Sequence, residues 1–306
     1  MRWVLLASVA VLWSISSSVF SASDRGLPPG VTDTQDPKDV PTPAQEAVRA
    51  MRAPAGFRVE LFASEPEVAQ PIAMAFDDRG RLWVAECYSY PDWLPEERRH
   101  LGRDRIVIFE DTDGDGRWDR RKVFWDRAYN LTSIEIGYGG VWALCIPHLL
   151  FIPDRDGDDR PDGPPEVLLD GWSLLAKHNA VNGLTWGPDG WLWGRHGITW
   201  ESRVGVPGTA PDQRVRLSCS IWRFHPQRRL FEVVAHGTTN PWGLDFDDFG
   251  EAFMTNNVLG HLWHVVPGAR YQRMFGQDLN PYAYELLGPT SDHLHWAGGD
   301  WQSARG

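Results

Sequence analysis

Met74-Ala-Phe-Asp-Asp-Arg-Gly80-Arg-Leu-Trp-Val-Ala-Glu86 is an apolar run, a glycine turn and a second apolar run, and the chain repeats this pattern three more times. The other copies are Ile134-Glu-Ile-Gly-Tyr-Gly-Gly140-Val-Trp-Ala-Leu, Leu184-Thr-Trp-Gly-Pro-Asp-Gly190-Trp-Leu-Trp-Gly and Leu244-Asp-Phe-Asp-Asp-Phe-Gly250-Glu-Ala-Phe-Met. Aligned on their glycines, they stand 60, 50 and 60 residues apart. A hairpin recurring every ~40–60 residues is the sequence form of a β-propeller, with one copy per blade. Further strands follow each hairpin: 105–109, 149–152, 220–224 and 261–266 as third strands, then 122–125, 166–169 and 230–235 as fourth strands. The expected fold is all-β, with four-stranded blades. Order is expected to begin with an alternating strand at Gly56-Phe-Arg-Val-Glu-Leu-Phe62. Four units reach about residue 271, and Asp292-His-Leu-His-Trp-Ala-Gly-Gly299 reads as the start of another blade. An unclosed ring would expose sheet edges. Residues 56–306 are therefore expected to be a propeller domain truncated at its C-terminus.

The chain has 306 residues, a net charge of −11 and no Lys/Arg run, which argues against a nucleic-acid partner. Its 17 tryptophans cluster on second strands, as at Trp83, Trp142, Trp191 and Trp193, where flat rings suit packing between twisted sheets. Arg2, an apolar run over 4–15 and small residues over 16–23 read as a signal peptide spanning 1–23. That implies a periplasmic or secreted protein with no other membrane span. Residues 24–55, rich in Pro, Asp and Thr, read as a linker with one helical turn near 43–51. Cys87, Cys145 and Cys219 are an odd, widely spaced set and read as buried thiols.

Two loops carry cation chemistry. In Asp111-Thr-Asp113-Gly-Asp115-Gly-Arg-Trp-Asp119, oxygens at alternate positions can wrap a hard cation such as calcium, with Gly116 supplying the sharp turn. Position twelve is Lys122, so the bidentate Glu of an EF-hand is missing. A second copy, Asp154-Arg-Asp156-Gly-Asp158-Asp-Arg-Pro-Asp162, has Asp159 where the sixth-position glycine belongs. Acidic turns without metal use the same residues. Either way the loops read as structural.

Ten residues before each aligned glycine stand Gln70, Asn130, Ala180 and Asn240, three amides at the entrances to the innermost strands. Equivalent positions ring one mouth of the channel. His178, Asn179 and Asn182 surround Ala180, and a histidine there can serve as a general base. The amides can equally cap strand ends. His196 and Arg195 are expected toward the opposite rim. His236, His293 and His295 precede inner strands, while His100, His148, His225, His261 and His264 read as loop or strand-surface residues.

At His178-Asn-Ala-Val-Asn-Gly-Leu-Thr-Trp-Gly-Pro-Asp-Gly190 and Gly237-Thr-Thr-Asn-Pro-Trp-Gly-Leu-Asp-Phe246 the chain resembles the soluble quinoprotein glucose/sorbosone dehydrogenases, six-bladed propellers that hold pyrroloquinoline quinone (PQQ) over the channel mouth. With its Asp-rich loops and Asp292–Trp301 segment it looks closer still to the large secreted "membrane-bound dehydrogenase" proteins of planctomycete-type bacteria, which often continue into a cytochrome c domain. The resemblance implies His178 as the base that takes a proton from a sugar or polyol. It also implies a cofactor-binding set of Asn179, Asn182, Thr239, Asn240, Gln70 and Asn130, and a cytochrome c domain or partner as electron acceptor. The register of His178 is one residue off the family pattern, and Thr239 stands where the family has an Arg that stabilises charge on the reduced cofactor. Arg195 would stand in for that charge only if it faces the same mouth. The alternatives are a calcium-stabilised, non-catalytic propeller that binds carbohydrate or a protein partner, and a lactonase-type hydrolase with channel-bound calcium, for which Glu86 is the one carboxylate to hand.

Overall fold

In the computed structural model, residues 40–291 are described. Each of the four repeats forms a hairpin of two inner strands: β1 (Pro71–Phe76) with β2 (Leu82–Glu86), β5 (Leu131–Ile136) with β6 (Gly140–Cys145), β9 (Asn182–Trp186) with β10 (Leu192–His196), and β15 (Asn240–Phe246) with β16 (Ala252–Asn257). The first blade adds β3 (Asp104–Glu110) and β4 (Arg120–Ala128), and the second adds β7 (His148–Pro153) and β8 (Glu166–Asp170). The innermost strands β1, β5, β9 and β15 pack side by side in that order, as four blades around one axis require. The arrangement is an incomplete β-propeller.

The four-strand expectation holds for blades one and two and is corrected in blade three. Blade three carries β13 (Ser220–His225), β14 (Leu230–Thr238) and β18 (Arg270–Arg273), which adds to β14 in parallel, giving five strands. A small hairpin, β11 (Ser202–Val204) with β12 (Val215–Leu217), is inserted after β10. Among the described residues blade four has three, ending in β17 (Leu262–His264); the chain then leaves to pair with blade three and returns at Ser291, which bridges antiparallel to Leu262 where the described residues end. The strand expected at 56–62 does not form. No described sheet edge lies along that segment to complete a ladder, and Phe57 is exposed while Phe62 packs on Phe109. A short helix, α1 (Ala44–Ala50), occupies the stretch where a helical turn was expected.

The turn glycines do what the repeat requires, with one shift. Gly80, Gly190 and Gly250 have φ of 74°, 75° and 82°. In the second repeat the left-handed residues are Tyr138 and Gly139, at φ 56° and 76°, and the aligned Gly140 opens β6. Gly140 has its own reason to lack a side chain, because a Cβ there would lie 2.4 Å from the Ile152 carbonyl oxygen.

The core lies between blades. Trp83, Ile106, Ile134 and Leu150 join the first two, and Trp142, Leu184, Trp222 and Phe224 join the second and third. Trp193, Leu244, Met254 and Trp263 join the third and fourth. Burying such side chains contributes roughly 1.5–3 kcal/mol each, upper-bound figures against an extended chain. The three cysteines are buried free thiols, and burial pushes Cys87 and Cys219 up to about 12.

Candidate functional site at the channel mouth

Inner strands start at one end of the channel and their hairpin turns lie at the other, so the two rims carry different chemistry. At the mouth, the chain must swing sharply from the outer strand of one blade to the inner strand of the next. Gln70, Asn130 and Thr238, at φ 46°, 48° and 73°, adopt left-handed backbone there, as does Lys177 at φ 45° before the third inner strand. Asn tolerates this conformation better than most residues, which is a backbone reason for an amide at position 130.

The amides then divide by role. Asn130 is fully buried, and its side chain donates to the carbonyls of Leu94 and Ile146 and accepts from Leu94 N–H. It clips the loop after β2 onto blade two and is committed to that task rather than to a ligand. Asn179 accepts from Ile198 N–H. The exposed Gln70 bonds through its carbonyl to Cys87 N–H. Asn182, Thr239 and Asn240 differ. They are 1%, 4% and 6% exposed, and Asn182 Oδ1, Thr239 Oγ1 and Asn240 Oδ1 have no hydrogen-bond partner. A buried polar atom without a partner costs about 1–3 kcal/mol, so these three call for a ligand or water.

His178 lies at the end of the 3-10 segment Leu174–Asn179, with an exposed side chain. Its Nδ1 is 2.5 Å from the Tyr90 hydroxyl, and the two rings meet edge to face. Tyr90 belongs to the loop after β2 that Asn130 clips down, so blade one supplies the partner of a blade-three histidine. Sequence reading missed Tyr90, which carries no motif and stands 88 residues away. Strained backbone at Lys177 beside it is the kind of feature found at functional sites.

Arg195 corrects an expectation. It pairs with Asn182 in the β9–β10 ladder, at the mouth and not the opposite rim. It is 4% exposed, and its guanidinium lies over Gly183, where a Cβ would come within 2.3 Å of Cζ. Nε and Nη2 donate to the Trp242 carbonyl of blade four, and Nη1 donates to Thr185 Oγ1. Burial pulls it down to about 9, so it remains a cation at neutral pH. His196 beside it is committed to Ser202 Oγ and the Gly197 carbonyl, and burial lowers it to about 4.

Glu86 is no channel ligand. Its carboxylate accepts from Ala69 N–H, Tyr88 and Arg105. Glu135, on the inner strand β5, is the carboxyl that composition and spacing overlooked. Burial raises it to about 7, with one bond from Ile136 N–H opposing that shift. His148 also departs from expectation. It is buried in β7 against the Tyr129 hydroxyl, and burial lowers its pKa. His293 and His295 lie outside the described residues.

The opposite rim holds both Asp-rich loops, one between β3 and β4 and the other between β7 and β8. Asp111, Asp113 and Asp115 form one group and Asp154, Asp156 and Asp158 another, each with carboxylate oxygens within 4.8 Å of one another. Asp119 and Asp162 stand apart from these groups. Asp119 accepts from Thr112, and Asp162 from Arg155 N–H. Asp111 accepts from Gly114, Asp115 and Gly116 N–H groups, led by Gly116, which hold its carboxyl below the usual range. Asp159, the residue that displaced the expected glycine, takes φ 64° and binds Arg81 of blade one through both oxygens, at 2.9 and 2.7 Å. The missing glycine is thus an inter-blade anchor. A cleft of about 410 Å³ between blades one and two runs past Arg79, Tyr138, Asp154 and Asp156.

Residues 43–288 match the family described as "Domain of unknown function (DUF7133)", and the chain belongs to that family. No curated protein matches it. Similar solved structures include a protein provisionally assigned as an oxidoreductase (glucose dehydrogenase) from Thermus thermophilus, at 20% identity over 72% of this chain and 69% of that one, with a TM-score of 0.47. The PQQ-bound aldose sugar dehydrogenase of Streptomyces coelicolor matches at 17% identity over 70% of this chain, TM-score 0.44. The PQQ domain of pyranose dehydrogenase from Coprinopsis cinerea matches at 16% over 69%, TM-score 0.43. The match spans 65% of the Streptomyces protein and 47% of the Coprinopsis one. Among the described residues no helix is long and apolar enough to cross a membrane.

Proposed function

We propose that this DUF7133 propeller belongs to an exported quinoprotein-type oxidoreductase acting on a sugar or polyol, with His178 as general base. The observation that carries the reading is the Tyr90–His178 pair at the mouth. With Nδ1–H donating to the Tyr90 oxygen, Nε2 keeps a lone pair, and its exposure lets a substrate hydroxyl reach it. His178 then takes the hydroxyl proton as the adjoining carbon gives up hydride. The Thr239 hydroxyl can donate to a quinone or carboxylate oxygen of a PQQ-type group, and the unpartnered Asn182 and Asn240 oxygens can accept from its ring N–H, so these residues would hold it. Such a group supplies a two-electron acceptor, from which a cytochrome c domain or partner takes the electrons onward. The sugar dehydrogenases among the similar structures agree with this reading without carrying it.

Both Asp loops hold calcium in this proposal, in a structural role, because they lie at the rim away from His178. Neutral Thr239 favours a second reading, a calcium-stabilised propeller that binds carbohydrate without turning it over. The two are separated by reconstituting the chain with PQQ and calcium and following dye reduction across aldoses and polyols. Sugar-dependent reduction that disappears in His178→Ala supports the oxidoreductase. A folded, calcium-loaded protein that binds sugar and reduces no dye supports the binding propeller.

A further inference from the structure

The wall between β9 and β15 joins an unneutralised cation to unpartnered acceptors. Arg195 is buried, yet none of its hydrogen bonds goes to a carboxylate; its partners are the Trp242 carbonyl and the Thr185 hydroxyl. A guanidinium has five N–H donors, and those three bonds leave two of them without a partner among the described residues. A buried charge is normally paired, because desolvation is otherwise uncompensated. The chain goes out of its way to keep the guanidinium there. Gly183, at φ 65°, clears the space it fills.

The acceptors sit on the same two strands. Asn182 opens β9 and faces Arg195 in the ladder; Asn240 opens β15 two residues before Trp242, with Thr239 just ahead. Their three oxygens lack donors. One cation and several buried acceptors are complemented by a ligand carrying a negative charge and hydroxyl or N–H groups together.

We propose that this wall is a receptor for an organic carboxylate bearing hydrogen-bond donors, with Arg195 as its charge partner. This rests on the quinoprotein reading for its biological setting, though not for its chemistry. A sugar acid serving as substrate and a carboxylated cofactor of the PQQ type share these features.

The test is calorimetric titration of the full chain with gluconate, with sorbitol (the same polyol skeleton without the carboxylate), with acetate, and with PQQ, each repeated on Arg195→Met. A charge-assisted bidentate contact predicts gluconate or PQQ binding that weakens about tenfold or more in the variant. Loss confined to gluconate identifies a sugar acid; loss confined to PQQ identifies the cofactor. The inference is overturned if sorbitol binds as well as gluconate while PQQ affinity is unchanged in the variant. It is also overturned if acetate matches gluconate and PQQ, which would make the site a simple anion trap, or if neither carboxylate binds the native chain. The native comparisons decide the matter even if Arg195→Met fails to fold. Neutral-sugar oxidation that persists at the native rate in Arg195→Met, alongside unchanged carboxylate affinities, would refute this inference and leave the oxidoreductase reading standing.

Discussion

Replacing Arg81 by Met should weaken the tie between blade one and blade two at the rim opposite the mouth. The Arg81 side chain is 6% exposed and is held between Asp77 and Asp159. Nε donates to Asp77 at 2.8 Å, and the two Nη atoms donate to Asp159 at 2.9 and 2.7 Å. Methionine keeps most of the apolar stem and removes all three bonds. Asp77 would keep donors from Arg79 N–H, the backbone N–H of residue 81 and Trp83 Nε1, while Asp159 would keep only Lys122, at 3.4 Å. Breaking a buried pair from one side typically costs ~3–5 kcal/mol. The retained donors put Arg81→Met near the lower end, about 3 kcal/mol, a large share of the ~5–15 kcal/mol that usually holds a domain together. Urea unfolding with an unchanged m-value measures it. Asp159→Asn in the Arg81→Met background should recover part of the loss, since Asn tolerates the left-handed backbone at this position and removes the stranded charge. The acid limb reports the same network. Burial pushes both carboxyls up, but Trp83 and Arg81 at Asp77, and Arg81 at Asp159, outweigh it and hold both below the usual range. Their contribution is therefore present above about pH 4 and lost as pH falls through the lowered values, and Arg81→Met should remove most of the Asp159 share of that acid limb while Asp77 keeps the part held by Trp83 and the backbone. A loss below about 1 kcal/mol in Arg81→Met, no more than an exposed pair contributes, would refute the anchor.

EDTA should lower the melting temperature of the native chain, and Asp113→Ala should shrink that shift by the share of the first loop; a native chain indifferent to EDTA would remove calcium from both loops. Asn130→Ala should cost about 2–4 kcal/mol, from orphaned polar groups on Leu94 and Ile146 and from alanine in left-handed backbone, with faster amide exchange in residues 88–95 as the specific readout. Tyr90→Phe should leave folding intact and shift the pH profile of dye reduction by removing the hydrogen bond that orients His178; an unchanged profile would make the contact incidental. Glu135 ionises near 7 in the folded chain and near ~4.3 unfolded, so the folded state holds the proton more tightly and stability falls as pH rises across that window. Glu135→Gln should flatten this slope, on the order of 3 kcal/mol across the window, in urea titrations between pH 4 and 8.

The repeat at Gly80, Gly140, Gly190 and Gly250 made the propeller legible because hairpins are local: a turn and its two strands lie within about a dozen residues, and their pattern is written in one stretch. The Asp-rich loops were legible for the same reason. What failed was set by neighbours that no local pattern names. Blade three gained β18 through a pairing between residues 236–238 and 270–273, which carries the chain away from blade four after β17 until Ser291 returns to Leu262. Residues 56–62 alternate like a strand and form none, since a strand exists only beside another.

The site divides along the same line. By itself the sequence determined the blade repeat, the ring of strand entrances and the presence of His178 among amides, all carried by spacing to a turn glycine. Only the tertiary structure decided which of those groups are free to bind. Asn130 became a loop clip, Glu86 a neutralised core carboxylate and Asp159 an inter-blade anchor, while Asn182, Thr239 and Asn240 were left with unpartnered oxygens. Tyr90 met His178 by a contact between blades, and Arg195, carried to the mouth by its own β9–β10 hairpin, met the Trp242 carbonyl of blade four in the same way. Burial and hydrogen-bond partnership fix whether a polar side chain is structural or available, and both depend on residues brought from far along the chain.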